Sequence, residues 1–393
     1  MKVLIAHNRY ASAQPSGENN IVDAEIAQLR DAGVEVVPFL KASDDIAALP
    51  KSRKLLLPMS PIYNGEAQHE LTELIRRERP DLMHLHNPYP LLSPWVIRTA
   101  HAHDLPVVQT IHNYRHVCAA ATLYRDGHIC TDCVGKRFGA PAVKHRCYRG
   151  SAAQSLVMAT TLAVHRDTWR SVDRFIALTT SIADYLREFG TPDDRISIKP
   201  NASPDPGPPA PIGDGFLFAG RLSAEKGLGL LLDAWRRHPA GSLGTLRILG
   251  DGPLRDVATA AAAERSDIDY HGPTDTQGVR AAMRTTAVVV LPSVWHEVFS
   301  GVIIEALANG RPVLGTDLGG TPYAIGDAGW TTPATVDALA AALPLAAAEA
   351  PAKAHAARMR YEQTFTPKIV LSQLLSIYDS VTAHPRTSTP RTS

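Results

Sequence analysis

Four groups of residues in this chain have the types and the spacing to do chemistry. The first is GRLSAEKG, Gly220 to Gly227, set between the apolar run Phe216 to Ala219 and a helical pattern that starts at Leu228. Gly220 allows a tight turn, while Arg221 and Lys226 put two cations beside the start of the helix. Free N–H groups at a helix N-terminus, joined by two cations, suit a diphosphate. The plainer reading is a solvated charged loop in a chain with 40 Lys and Arg. The second group is Glu297 and Glu305, eight positions apart in EVFSGVIIE, the former in a loop and the latter inside the helix that Gly301 begins. Carboxylates accept hydrogen bonds from ribose and sugar hydroxyls. Glu305 lies among Val302, Ile303, Ile304, Ala306 and Leu307, where a carboxylate without a partner is costly. An exposed place on an amphipathic helix is its alternative.

The third is His112, at the end of the strand VVQTI, with His84, His86 and His116 as competitors. The segment HLHNPYP, His84 to Pro90, also follows a strand and is placed to line an acceptor side. The fourth group is every cysteine in the chain: Cys118, Cys130, Cys133 and Cys147, all within thirty residues. The C-x2-C step is a good metal knuckle, and four thiolates complete a tetrahedral zinc site. The stretch between them is polar and glycine-containing, and without a clamp it could not form a core. Two disulfides, which a reducing cytoplasm disfavours, and four free thiols stay open. From Lys136 to Arg174 there are eight Lys or Arg against two Asp. This is either a solvated basic surface or a face for a phosphate-bearing acceptor or an anionic membrane.

These groups need elements to hold them. Lys2 to Ala6 reads as a buried parallel strand, His7 to Asn20 as a loop, Ile21 to Asp31 as a helix that Gly33 ends, and Val34 to Phe39 as the next strand. Further strands fall at 82–85, 107–111, 175–177 and 196–199, with a helix from Ser181 to Phe189. After the Pro- and Gly-rich stretch 201–215 the alternation restarts, with strands at 216–219, 246–249, 288–291 and 312–315 and helices at 228–237, 255–264 and 301–309. The fold class is therefore α/β, two Rossmann-like doubly wound domains facing a central cleft. The predicted division is a first domain, 1–200, with a cysteine-bearing insert at 115–150, then a linker, 201–215, and a second domain, 216–360. Helices at 361–383 return to the first domain, and 384–393 form a disordered tail.

Composition narrows the classes. With 45% apolar residues, 20% charged residues and a formal net charge of +1, the chain lacks the basic excess of a nucleic-acid binder. No run of about 18 apolar residues occurs, and the apolar start is too short for a signal peptide. The expected location is cytoplasmic, with peripheral contact at the inner membrane face as a variant.

Taken together, the first three groups resemble the family-4 retaining glycosyltransferases of GT-B architecture. That family has a GR-x-x-x-x-KG loop, here Gly220, Arg221, Lys226 and Gly227, and an E-x7-E motif, here in EVFSGVIIEALANGRPV from Glu297 to Val313. Ser300 stands where glycine is usual, and Gly301 follows one place later. PVVQTIHNY is similar to the family's catalytic strand and histidine, so the resemblance spans nearly the whole chain. It implies a nucleoside-diphosphate sugar as donor, UDP-linked before GDP-linked, and transfer with retention to a hydroxyl acceptor. Arg221 and Lys226 would hold the diphosphate, Glu305 the ribose, and Glu297 and His112 the transferred sugar. Gly319 and Gly320 would bring backbone N–H groups to the sugar or phosphate. No catalytic metal is implied. The acceptor would be a glycan, a lipid-linked saccharide or a small molecule, and the protein a monomer or homodimer. The first loop, QPSGENN, departs from the family's usual glycine pair, leaving only Gly17 to supply a permissive φ.

Three alternatives keep less of this pattern. A nucleotide-sugar 2-epimerase shares the architecture but not the paired motifs. A dinucleotide oxidoreductase would need the G-x-G-x-x-G turn that the first βαβ unit lacks. A non-catalytic nucleotide-binding module would leave the paired motifs without a role.

Overall fold

The first strand is buried at six consecutive positions, Val3 to Asn8, because both faces of a parallel sheet are covered by helices. In this computed structural model the described residues are 1–12, 16–48, 50–51, 54 and 57–383. The strands are β1 (Lys2–Arg9), β2 (Glu35–Ala42), β3 (Leu82–Leu85), β4 (Val107–Ile111), the short pair β5 (Tyr124–Arg125) and β6 (His128–Ile129), β7 (Arg174–Ala177) and β8 (Ile196–Ile198). The second lobe holds β9 (Phe216–Ala219), β10 (Leu246–Leu249), β11 (Ile268–Gly272), β12 (Val288–Leu291), β13 (Val313–Thr316) and β14 (Gly329–Thr332).

Two six-stranded sheets result, in the orders β2-β1-β3-β4-β7-β8 and β11-β10-β9-β12-β13-β14. All pairings within them are parallel, with Leu4 beside Val37 and Met83 in the first and Phe216 beside Leu246 and Val288 in the second. In each sheet the winding reverses once, between β1 and β3 and between β9 and β12. At such a switch point the helices leave to opposite faces, and a crevice opens at the carboxyl ends of the strands. Both lobes therefore present their crevices through the loops after these strands. The fold is GT-B.

Several elements differ from the sequence-based expectation. The first helix runs from Gly17 to Asp31 and β1 extends to Arg9, so the loop between them is shorter than predicted. Ser16, in extended conformation, occupies the N-cap position. The strands β11 and β14, which lack a long apolar run, complete the second sheet.

The chain's end ties the lobes together. The helix Val336–Thr364 contributes Leu339, Leu343, Ala357 and Tyr361 to the second lobe's core. The Tyr361 hydroxyl donates to the Ser203 carbonyl at 2.9 Å, and Pro367 starts a new helix at a position where its missing N–H costs nothing. That closing helix, Pro367–Thr382, places Leu374, Ile377, Tyr378 and Val381 in one cluster with Val3, Ile5, Val22, Ile26 and Leu29. The first lobe's core is completed by the last helix. The predicted tail, 384–393, lies outside the described residues. Among the described residues, no helix is long and apolar enough to cross a membrane.

Candidate active-site cleft

The second lobe's wall is built on the switch point. After β9 the chain turns at Gly220, passes through a short turn of helix at 224–226, and enters the helix Leu228–Trp235. Gly227 has φ +75°, and a Cβ there would stand 1.7 Å from the Pro292 carbonyl oxygen. Only glycine lets this loop lie against the loop after β12. The contact brings Lys226 to Glu297, Nζ to Oε1 at 2.6 Å, and the same carboxylate oxygen accepts from the Ser293 hydroxyl at 2.8 Å. The Glu297 side chain is 4% exposed and that of Lys226 25%. The ammonium thus has one side fixed by the carboxylate and one side open. It also lies 5.2 Å from the Trp295 ring centroid, within cation–π range. Arg221, by contrast, is exposed, 3.6 Å from Glu225.

Glu305 lies half-buried on the helix Gly301–Ala308, and burial pushes its carboxyl above the usual range. Gly301 opens that helix, with free space where a Cβ would be.

Two glycine expectations need correction. Gly17 has no positive φ and sits inside the first helix, with nothing within 4 Å of a would-be Cβ. The permissive conformation assigned to it is not used. The amide of Gly320 is already engaged, donating to the Glu297 carbonyl at 2.6 Å. It holds the backbone of Glu297 and is not free for a phosphate. The true reason for glycine here is space: a Cβ on Gly319 would meet the Glu297 oxygen at 2.4 Å, and one on Gly320 the Val298 oxygen at 2.4 Å.

The first lobe's wall is a chain of imidazoles at the ends of β1, β3 and β4. His112 Nε2 lies 3.0 Å from His86 Nδ1, with the two rings stacked. His86 Nε2 is 3.3 Å from Glu25 Oε1, and Lys199 Nζ is 3.2 Å from Glu25 Oε2. His84 Nδ1 lies 3.1 Å from Glu25 and 2.7 Å from the Tyr378 hydroxyl of the closing helix. The cation of Lys199 and the nearby imidazoles hold the buried Glu25 carboxyl well below its usual range, against the opposing effect of burial. Burial lowers His86 to about 4 and carries His112 well below 6.5, so both are neutral at pH 7. An ionised carboxylate only accepts. It therefore favours the proton of His86 on Nε2 and leaves Nδ1 to accept from His112. Among the described residues, Glu25, His84 and His86 are the one group of metal-type ligands whose atoms all lie within 4.8 Å of one another. Lys199 already neutralises that carboxylate, and Tyr378 and Thr110 engage both nitrogens of His84. Glu25 Oε1 and His86 Nε2 lie close but without a formed hydrogen bond, so this edge of the cluster is held by charge and packing.

Beside this wall, Glu18 at the start of the first helix accepts from the Tyr10 hydroxyl at 3.2 Å, and burial pushes its carboxyl up to about 7. His116 is buried against Trp169, away from the relay, and its pKa falls to about 3. The lobes touch beside the site. The Thr179 hydroxyl lies 3.4 Å from the Val298 carbonyl oxygen, and Val298 belongs to the first lobe's apolar cluster. Tyr114, two residues past His112, is close enough to Glu297 for the carboxylate to help raise its pKa.

Comparison with known proteins follows the two lobes. Residues 15–202 match the glycosyl transferase 4-like domain, and residues 213–347 match the glycosyl transferases of group 1. The chain belongs to the GT-B glycosyltransferases. Among curated relatives of this glycosyltransferase is the phosphatidyl-myo-inositol mannosyltransferase of Mycobacterium leprae, 27% identical over 95% of each chain. Another is the 2-deoxystreptamine N-acetyl-D-glucosaminyltransferase of Streptomyces fradiae, 28% identical over 74% of this chain and 68% of that one. Solved structures of the same fold include sucrose-phosphate synthase from Thermosynechococcus elongatus, with a TM-score of 0.69 and 19% identity over 97% of this chain and 99% of that one. The Anabaena protein HepE in complex with UDP and glucose aligns with a TM-score of 0.63 and 16% identity, covering 97% and 100%.

Residues that the glycosyltransferase motifs singled out come together on the second lobe, Lys226 on Glu297 and both beside Gly319 and Gly320. Glu25, Lys199, Tyr378 and Ser293 escaped the sequence reading. Only Glu25 carried a local signal: it shares the buried stripe of its helix with Val22, Ile26 and Leu29, where a charge needs a partner.

Proposed function

We propose that this glycosyltransferase moves a sugar from a nucleoside-diphosphate sugar, UDP-linked before GDP-linked, to a hydroxyl acceptor with retention of configuration. The observation that carries the reading is the Lys226–Glu297 pair at the switch point of the second sheet, beside an open helix start. Breaking the sugar–phosphate bond builds negative charge on the leaving diphosphate and positive character at the anomeric carbon. The open side of Lys226 and the mobile guanidinium of Arg221 meet the first. Lys226, held by Glu297, is a fixed charge in the cleft, where it acts more strongly than in water. The buried Glu297 carboxylate, already half-engaged by Lys226 and Ser293, presents its other oxygen to sugar hydroxyls, and Glu305 presents one to the ribose. From the facing wall, neutral His112 is held by His86 and orients the sugar. The acceptor hydroxyl attacks on the leaving-group face as the sugar–phosphate bond breaks, and its proton passes to the departing diphosphate oxygen, so the step needs neither a further enzyme base nor a metal ion.

The relatives support both acceptor classes, since one is named for a phosphatidylinositol acceptor and another for a small aminocyclitol. The test is a screen of nucleotide sugars by calorimetry, then acceptor assays with the donor that binds, and proton NMR of the product's anomeric centre. Arg221→Ala and Lys226→Met should each lower transfer at least about a hundredfold in folded protein. Wild-type turnover in either variant, or an inverted product, would refute the assignment.

A further inference from the structure

We infer that the four cysteines form a structural tetrathiolate zinc site that locks the insert of the first lobe against the cleft. Cys118, Cys130, Cys133 and Cys147 come from three separate stretches of loop, yet all four line one small cavity. None is in a disulfide. Apart from Arg125, the cavity's other lining is apolar, from Ala120, Leu123, Tyr124 and Ala142. The chain thus brings all its thiols to one place, beside one guanidinium and one phenol ring.

The insert packs Val117, Ala119, Leu123 and Ala142 into the first lobe's apolar core, but little regular structure holds the loops between them. Between His112 and Ser151 its regular structure is a hairpin of two-residue strands and a five-residue helix. Five non-glycine residues in it take positive φ: Ala121, Leu123, Asp126, Arg146 and Arg149. Each such residue costs of order 1 kcal/mol or more and persists only where the surroundings over-determine it. A tetrahedral ion bound from three stretches supplies that constraint, and in small metal sites the binding energy is folding energy.

The groups around the sulfurs suit thiolates. The Ala142 amide lies near the Cys133 sulfur, and the Arg125 guanidinium near Cys130 and Cys147. Four thiolates on one divalent zinc leave two negative charges, and Arg125, which also pairs with Asp126 and Asp132, is the cation beside them. The sulfurs are not among the ligand sets whose atoms all lie within 4.8 Å of one another, so zinc would draw them inward from the cavity wall while four protons leave.

What the ion would hold is the wall of the cleft. Tyr114 and Tyr124 lie at the two sides of this insert. Tyr114 feels the charge of Glu297, and Tyr124 that of Glu225 in the donor loop. The site is thus structural, outside the transfer chemistry, and independent of the donor assignment.

The test uses the full chain purified without added metal or chelator. Elemental analysis should give about one zinc per chain. A thiol reagent should find the four cysteines unreactive until a chelator or mercurial releases the ion, and native mass spectrometry should show the zinc adduct. Cys133→Ser and Cys147→Ser should each lose the zinc. Should those variants aggregate, the wild-type metal and thiol counts still decide. Less than about 0.2 zinc with four titratable thiols would overturn the inference. So would a mass lower by four hydrogens, the mark of two disulfides, or iron in place of zinc.

Discussion

Glu25→Gln should destabilise the first lobe strongly, because it strands a buried cation. Glu25 is 9% exposed in its side chain and Lys199 2%, and the carboxylate stands 3.2 Å from the ammonium and within 3.3 Å of two imidazoles. Glu25→Gln keeps the shape but leaves the Lys199 cation buried without its counter-charge. Breaking a buried pair in this way costs about 3–5 kcal/mol. In a lobe of this size each kcal/mol lowers Tm by about 2–4 °C, so the expected drop is about 6–20 °C. Adding Lys199→Met removes the stranded charge, and the double variant should recover at least about 2 kcal/mol relative to the sum of the single changes. Calorimetric melts of the four proteins at pH 7 measure that coupling. The relay gives a second readout. With an amide at position 25, the proton of His86 is no longer held on Nε2, so the tautomer signals of His112 in nitrogen-15 NMR should change even in the stable double variant. A coupling near zero, or a Glu25→Gln protein less than about 1 kcal/mol destabilised, would refute the account of the pair. An unchanged His112 tautomer would refute the relay.

Three further outcomes follow from the same geometry. Glu18 has a folded pKa of about 7 against an ordinary value of 4.5, so its burial is destabilising above pH 7 and without effect below the unfolded value. Glu18→Gln should therefore raise stability by roughly 3 kcal/mol at pH 8 and by almost nothing at pH 4, and equal shifts at both pH values would contradict the burial argument. Gly320→Ala drives a Cβ to 2.4 Å from the Val298 oxygen and 2.7 Å from Thr179. It should cut turnover at least about tenfold while costing about 1–3 kcal/mol, and wild-type turnover would show that the loop has room to give. A chain ending at Thr366 lacks Leu374, Ile377, Tyr378 and Val381, which complete the first lobe's core. It should be insoluble, and a soluble, active product would mean that the closing helix is dispensable.

The sequence by itself determined the two α/β lobes and the loops that meet at the end of the second sheet. Those features are local. A buried parallel strand is a short apolar run, a switch-point loop follows it directly, and GRLSAEKG and EVFSGVIIE carry their chemistry within one loop and one helix each. Contacts such as Lys226 to Glu297 span two such units, but both units sit at the same end of one sheet, so strand order alone brings them close. The first lobe's wall is different. Glu25 meets Lys199 across 174 positions, and His84 meets Tyr378 across 294. No periodicity records a pairing at such a distance. Even the glycines changed meaning: Gly17 is an ordinary helical residue, and Gly319 and Gly320 are there because another loop's carbonyls occupy the space. Which buried charge finds its partner, and which side chain has no room, depends on the packing of elements far apart in the chain, and that only the folded chain decides.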